Sequence, residues 1–465
     1  MLAQGVHGDS VVDSSKISAK LSVTRSLAVV LAFLFLSADL MTADKLFPYA
    51  YFIDDLPNGL RLVTVPTGFP NLLAFWVVVQ AGSRNEVEPG KSGFAHFFEH
   101  MMFRGTENYT KEQYDALLKN AGADGNAFTS DDYTAYHTTL SKEDLELIFK
   151  LEADRFQHLR YSKEDFRTEA KAVLGEYNKN SSDPLTKMRE VLRDTAFDVH
   201  PYKHTTMGFL KDIEDMPNQY EYGLNFFSRF YRPEYTTLLV AGDVKREETL
   251  RLARKYWGDW KRGSYDAAIP REPAQSAPRS ADVDWPVETL PWVLVAFKGP
   301  AYSDDSKDMP AADVISSLAF SESSPLFQKL VIKEQKVDSL VPMFEDHRDP
   351  YLLAVAARIK APEDLAYVQE EILRTFEAIK TGQISRERLD SVKSHLKYSF
   401  ALRLDSSEAI AETLAHYIEL RRTPETLNRL YRLYDSVTVE DVHAVAKKYF
   451  AAEGRTIVAL TPKHP

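Results

Sequence analysis

A chain of 465 residues with 44% apolar and 12% aromatic side chains is too long for one ordinary core and too hydrophobic to be disordered, so two or three folded units are expected. A net charge of −11 excludes the extended basic field that retains nucleic acid, which is therefore not expected as a partner. The absence of cysteine excludes disulfides, thiolate nucleophiles and thiolate ligands, so any metal must be held by histidine and carboxylate.

Taken in chain order, residues 1–43 read as a signal peptide or leader. Lys16, Lys20 and Arg25 precede an apolar run from Leu27 to Leu36, and small and polar residues around Ser37, Ala38 and Ala43 follow. That order is the pattern of a secretory signal, and the run is too short to span a bilayer comfortably. Export is expected, with the periplasm as destination and no stable membrane span once the leader is removed.

Residues 44–262 form the first expected domain. Gly59 to Val65 and Leu72 to Gln80 are rich in β-branched residues and bounded by Asn58-Gly59 and Ala81-Gly82, so both read as strands. Thr110 with Gln113, Ser141 with Asp144 and Ser162 with Asp165 each place an N-cap residue three positions before an acidic or amide side chain, and each opens a helix. A strand from Thr237 to Ala241 closes at Gly242-Asp243. Residues 263–284, dense in Pro, Ala, Ser and charge, read as a linker. Residues 285–465 then repeat the order: strands at Trp292 to Phe297 and Leu352 to Ile359, helices over 362–380 and 385–404, and a last strand from Thr456 to Leu460. The fold class is α+β, with two similar domains of mixed sheet and helices.

The chemistry concentrates in Gly93-Phe94-Ala95-His96-Phe97-Phe98-Glu99-His100-Met101. On a helix, positions i, i+3 and i+4 share one face, so His96 and His100 can bind one metal ion while Glu99 stands beside them to accept a proton. These are the parts of the His-Glu-x-x-His arrangement with the helix direction reversed. A catalytic zinc usually takes three protein ligands, so a third is expected from another segment. Thr168 to Tyr177 carries Glu169 and Glu176, seven residues apart on one helix face but about 10.5 Å apart along its axis. One of the two is expected to hold the metal and the other to stand behind it.

With those residues in place the chain resembles the pitrilysin-type zinc peptidases, in the branch of the processing peptidases. Their signature is His-x-x-Glu-His followed after about 75 residues by a ligand Glu, and Glu176 lies at the matching distance from His100. Further matching stretches are Phe103-Arg104-Gly105-Thr106, Gly125-Asn126-Ala127-Phe128-Thr129, Pro201-Tyr202 with Gly208, and Phe230-Tyr231-Arg232-Pro233 with Gly242-Asp243. The resemblance implies one zinc ion per chain held by His96, His100 and Glu176, with Glu99 as general base and Glu169 supporting a ligand from behind. It also implies that Asn126, Ala127 and Phe128 lie on an edge strand that pairs with the substrate backbone, and that two homologous domains enclose short or unfolded peptides as half of a clamshell.

The expected activity is zinc-dependent endopeptidase hydrolysis; the alternative is a catalytically silent scaffold subunit of a processing-peptidase-like complex. Active members resembling this chain commonly complete the site with an Arg and a Tyr from a zinc-free half, in a stretch like Leu-Arg-Glu-Lys-x-Gly-Leu-Ala-Tyr. The matching stretch here, Phe327 to Ser339, has neither residue at those places. A homologous zinc-free subunit is therefore expected to supply the pair, making a heterodimer.

Overall fold

Runs of β-branched and aromatic residues alternate with capped helices along the chain, and the computed structural model, which describes residues 46–462, turns that alternation into two sheets. The leader reading over residues 1–43 lies outside the described residues. No helix among the described residues is long and apolar enough to cross a membrane.

The first sheet is built from β1 (Phe52–Asp55), β2 (Arg61–Pro66), β3 (Leu72–Val79), β4 (Asp124–Thr129), β5 (Thr134–Ser141) and β6 (Thr236–Gly242), in the order β1-β2-β6-β3-β5-β4. The second uses β7 (Arg279–Trp285), β8 (Trp292–Lys298), β9 (Val337–Phe344), β10 (Leu352–Ile359) and β11 (Arg455–Pro462), in the order β7-β11-β8-β10-β9. Within each half, the first of the five shared strands pairs parallel with the last, and every other pairing is antiparallel. The second sheet thus repeats strands β2 to β6 in order and direction. The duplication suggested by element order is a duplication of topology.

The helices of the first half are α1 (Phe94–Met101), α2 (Lys111–Asn120), α3 (Leu145–Gln157), α4 (Lys163–Asn180), α5 (Pro184–Ala196), α6 (Leu210–Asp215), α7 (Tyr220–Phe230) and α8 (Arg246–Trp257). Those of the second are α9 (Asp308–Phe320), α10 (Leu365–Ala378), α11 (Arg386–Ala401), α12 (Ser407–Arg421), α13 (Glu425–Ser436) and α14 (Val439–Tyr449), with a short helical segment at 325–333. The capping boxes read at Thr110 and Ser162 are formed and open α2 and α4. The segment read as a linker, 263–284, ends inside the second sheet: Arg279 to Asp284 belong to β7, where alternate side chains Val283 and Trp285 are buried and the backbone pairs with β11.

β3 reads Leu-Leu-Ala-Phe-Trp-Val-Val-Val and is buried from Leu73 to Val79 because both of its faces are covered. Leu73, Phe75, Val77 and Val79 point into the core with the helices of their own half. Across the strand, α12 of the second half lies on β3 and β6. The second sheet is treated reciprocally: Val293, Val295 and Phe297 face their own helices, whereas Trp292, Leu294 and Ala296 pack with Met188, Leu192 and Ala196 of α5. Each half lends a helix to the other's sheet, so from Tyr49 onward the two halves form one unit.

Candidate metal centre

The helix that carries the histidines starts without a local cap. Gly93 enters it at φ +92°, a conformation that side-chain-bearing residues avoid. The acceptor comes from the preceding loop: Glu86 takes hydrogen bonds from the backbone N–H of Gly93 at 2.7 Å and of Ala95 at 2.6 Å, satisfying donors that a helix N-terminus leaves free. Burial raises the Glu86 carboxyl well above its ordinary range. Phe94, Phe97, Phe98 and Met101 are fully buried and press α1 onto the core. The remaining face presents His96, Glu99 and His100.

α4 brings Glu176 to that face. His96 Nε2 and His100 Nε2 stand 3.3 Å apart, and Glu176 Oε2 lies 3.7 Å from the first and 3.4 Å from the second. One ligand atom from each of the three residues falls within 4.8 Å of the others. Glu169, two turns earlier on α4, does not join them; its Oε1 lies 2.9 Å from His100 Nδ1. An ionised carboxylate only accepts, so Nδ1 carries a hydrogen, and it is Nε2 of His100 that faces Glu176. Arg104 meets the other oxygen of Glu169.

Burial, the neighbouring His100 and, in opposition, Glu176 set the His96 ring to about 4, so it is neutral at ordinary pH. His100 Nε2 and Glu176 Oε2, both potential metal ligands, thus face each other at 3.4 Å beside the neutral imidazole of His96. A divalent cation fits this donor set, and nitrogen and oxygen ligands of this kind suit zinc. Glu99 is mostly buried; burial raises its carboxyl, and a 2.7 Å hydrogen bond donated by Thr129 opposes that shift.

Asn126, Ala127 and Phe128 lie on β4, which pairs with β5 alone and forms the edge of its sheet. A cavity of about 1120 Å³ opens beside this strand, lined by His96, Glu99, Phe128 and Glu176 from the first half and by Arg403 and Tyr417 from the second. It is large enough for several residues of extended peptide. The stretch Phe327 to Ser339 runs from the short helical segment into β9, the counterpart of β4. The second half's helix between β8 and β9, α9, contains no histidine.

Residue reasoning missed Glu86, Arg104 and the part played by Thr129. Arg104 was findable as part of the matching stretch Phe103-Arg104-Gly105-Thr106, although it lies in the turn after α1 and reaches Glu169 from there. Glu86 and Thr129 reach the site only through tertiary contacts.

Residues 71–209 match the family described as Insulinase (Peptidase family M16), and residues 220–396 match that described as Peptidase M16 inactive domain. The chain belongs to peptidase family M16. This M16 chain is 30% identical over 414 residues to a protein named zinc protease PqqE from Helicobacter pylori, covering 88% of this chain and 92% of that protein. It is 26% identical over 430 residues to a probable mitochondrial-processing peptidase subunit beta from Arabidopsis thaliana, covering 88% and 78%. The crystal structure of a protease from Helicobacter pylori aligns with a TM-score of 0.83 at 30% identity, over 89% of this chain and all of that one. Membership in M16 supports a peptidase function, and the two sheets with their helices are two M16-type domains.

Proposed function

We propose that this M16 chain is a zinc-dependent endopeptidase acting on short or unfolded peptides, with His96, His100 and Glu176 as zinc ligands and Glu99 as general base. The observation that carries this reading is the convergence of His96 Nε2, His100 Nε2 and Glu176 Oε2 within 4.8 Å, with the Glu99 carboxylate on the same helix face and the same cavity wall. Bound there, zinc would supply Lewis acidity, lowering the pKa of water and polarising the scissile carbonyl.

The chain's own groups do the rest. Glu169 holds His100 in the tautomer whose Nε2 is free to ligate. Glu99 takes a proton from the attacking water as the new C–O bond forms, then delivers it to the amine nitrogen as the C–N bond breaks. Burial raises the basicity of the Glu99 carboxylate, which favours that first transfer. The free edge of β4 at Asn126, Ala127 and Phe128 offers main-chain hydrogen bonds to an extended peptide.

Glu99→Gln tests the reading. It should keep one zinc per chain and lose about 10² to 10⁴ in kcat, the usual contribution of a positioned acid–base group. Wild-type turnover by a zinc-loaded Glu99→Gln protein would refute the mechanism, and a protein that takes up no zinc would favour the silent scaffold. The second part of the proposal is a zinc-free homologous partner subunit. It is supported by the lack of Arg and Tyr at the expected places in Phe327 to Ser339.

A further inference from the structure

The end of β4 connects the general base to the second half of the chain. Thr129 is the last residue of β4, and its hydroxyl donates to Glu99 Oε2 at 2.7 Å. After it comes the turn at residues 130–133, closed by Ser130 N–H donating to the Tyr133 carbonyl at 2.8 Å, before β5 begins. The two acidic residues at the tip are both buried, and both are fully engaged.

Asp131 Oδ1 accepts from Ser83 Oγ and Arg193 Nη2, each at 2.7 Å, and Asp131 Oδ2 lies 3.1 Å from His347 Nε2. Asp132 Oδ1 accepts from the Tyr202 hydroxyl at 2.6 Å, and its Oδ2 accepts from the Arg348 backbone N–H at 3.0 Å. Gly82 leaves room for the turn: a Cβ there would meet the Asp131 carbonyl oxygen at 2.4 Å. Two of these anchors, His347 and the Arg348 N–H, come from the loop between β9 and β10, across the duplication. His347 is itself held by stacking on Tyr351, with ring centroids 3.6 Å apart.

Buried charged groups tied by several hydrogen bonds are expensive to displace, because losing one partner leaves the other desolvated and unsatisfied. The turn therefore has one stable position, held jointly by Ser83, Arg193 and Tyr202 of the first half and by His347 and the Arg348 N–H of the second, and Thr129 inherits that position. Resting on the assignment of Glu99 as base, we infer that Thr129 is the positioning residue that orients the Glu99 carboxylate, and that the second half sets its place through the His347–Asp131 contact.

The test is a double-mutant cycle on the full-length zinc-loaded protein. Thr129→Val, which keeps shape and removes the donor, should lower kcat at least about tenfold with little change in KM, and Thr129→Ser should restore it to within about threefold. His347→Ala should lower kcat in the wild-type background and cost nothing further in the Thr129→Val background, because no bond to Glu99 remains to be misplaced. Zinc content should stay at one per chain throughout, and amide exchange at residues 130–134 should rise in His347→Ala.

Wild-type kcat in Thr129→Val overturns the positioning role, as does a loss of zinc or folding that Thr129→Ser shares. Multiplicative effects in the cycle, or unchanged exchange in the turn, overturn the route through His347. If Glu99→Gln is inactive while Thr129→Val is not, the inference alone fails; if Glu99→Gln is active, the reading beneath it fails.

Discussion

At the residue scale the two glutamates of α4 reach opposite nitrogens of one histidine from a single helix face. Glu176 stands 3.4 Å from His100 Nε2, whereas Glu169 stands 2.9 Å from the opposite ring nitrogen of the same histidine. Removing the charge of Glu176 deletes the one anionic donor of the trio, so Glu176→Gln should weaken zinc binding more than about a hundredfold. Removing that of Glu169 only frees the ring and its hydrogen, so Glu169→Gln should cost about ten- to a hundredfold. Zinc titration of the two variants decides the matter, and the reverse ranking would exchange their roles. Arg104, which meets Glu169 from behind, extends the chain of support one residue further.

At the element scale α1 is short and depends on its surroundings. Eight residues with a glycine at the N-cap position would not hold a helix alone in water. Glu86 caps it and four apolar side chains bury it. Gly93→Ala would place a side chain at φ +92° and a Cβ 2.6 Å from the Met207 carbonyl oxygen. We expect this substitution to cost about 2 kcal/mol and to weaken zinc binding, because the first turn of α1 carries His96. Denaturant unfolding and zinc titration of the variant should show both losses; unchanged zinc affinity would mean that α1 tolerates movement at its start. By contrast α4, with its own Ser162–Asp165 capping box, carries its start signal locally.

At the scale of the whole molecule the two halves share buried surface, and one buried pair between them titrates. Burial disfavours the charged His347 ring, but the hydrogen bond and charge of Asp131, with Asp132 and Glu345 nearby, outweigh it and raise its pKa above 6.5. Asp131 is also pushed upward by burial, yet the charge of Arg193 and the His347 contact hold it well below its ordinary value. A histidine with a raised folded pKa stabilises the protein fully below its unfolded value and loses that contribution as pH rises through the folded one. The gap in melting temperature between wild type and His347→Ala should therefore be widest below pH 6.5 and shrink on the alkaline side. A gap that widened with pH would mean that the ring is neutral in the fold. The proposed partner subunit is tested at this scale too: the zinc-loaded chain alone should hydrolyse peptides poorly, and adding a zinc-free homologue should restore turnover. Full turnover by the isolated chain would instead direct attention to Arg403 and Tyr417, which already line its cavity.

Local signals made much of this legible. The spacing of His96, Glu99 and His100 fixed their common face because helix geometry is set by the backbone. β-Branched runs marked β2 and β3, and short apolar runs marked β6, β8 and β10, because such side chains suit a covered sheet. The duplication was visible as element order, although residue identities had drifted beyond recognition of a repeat. Seven residues between Glu169 and Glu176 sufficed to say that only one could stand beside both histidine Nε2 atoms, and in the fold that one is Glu176. What the tertiary structure alone decided lies where distant segments meet. The exchange of α5 and α12 between the sheets, the capping of α1 by Glu86 and the Thr129 hydrogen bond to Glu99 have no periodicity to announce them, whereas the strand at the end of the supposed linker carried an alternation, Ala281-Asp282-Val283-Asp284-Trp285, that its Pro- and Ser-rich surroundings masked. Burial of a polar group is determined by what packs over it, and a one-dimensional pattern does not contain that information.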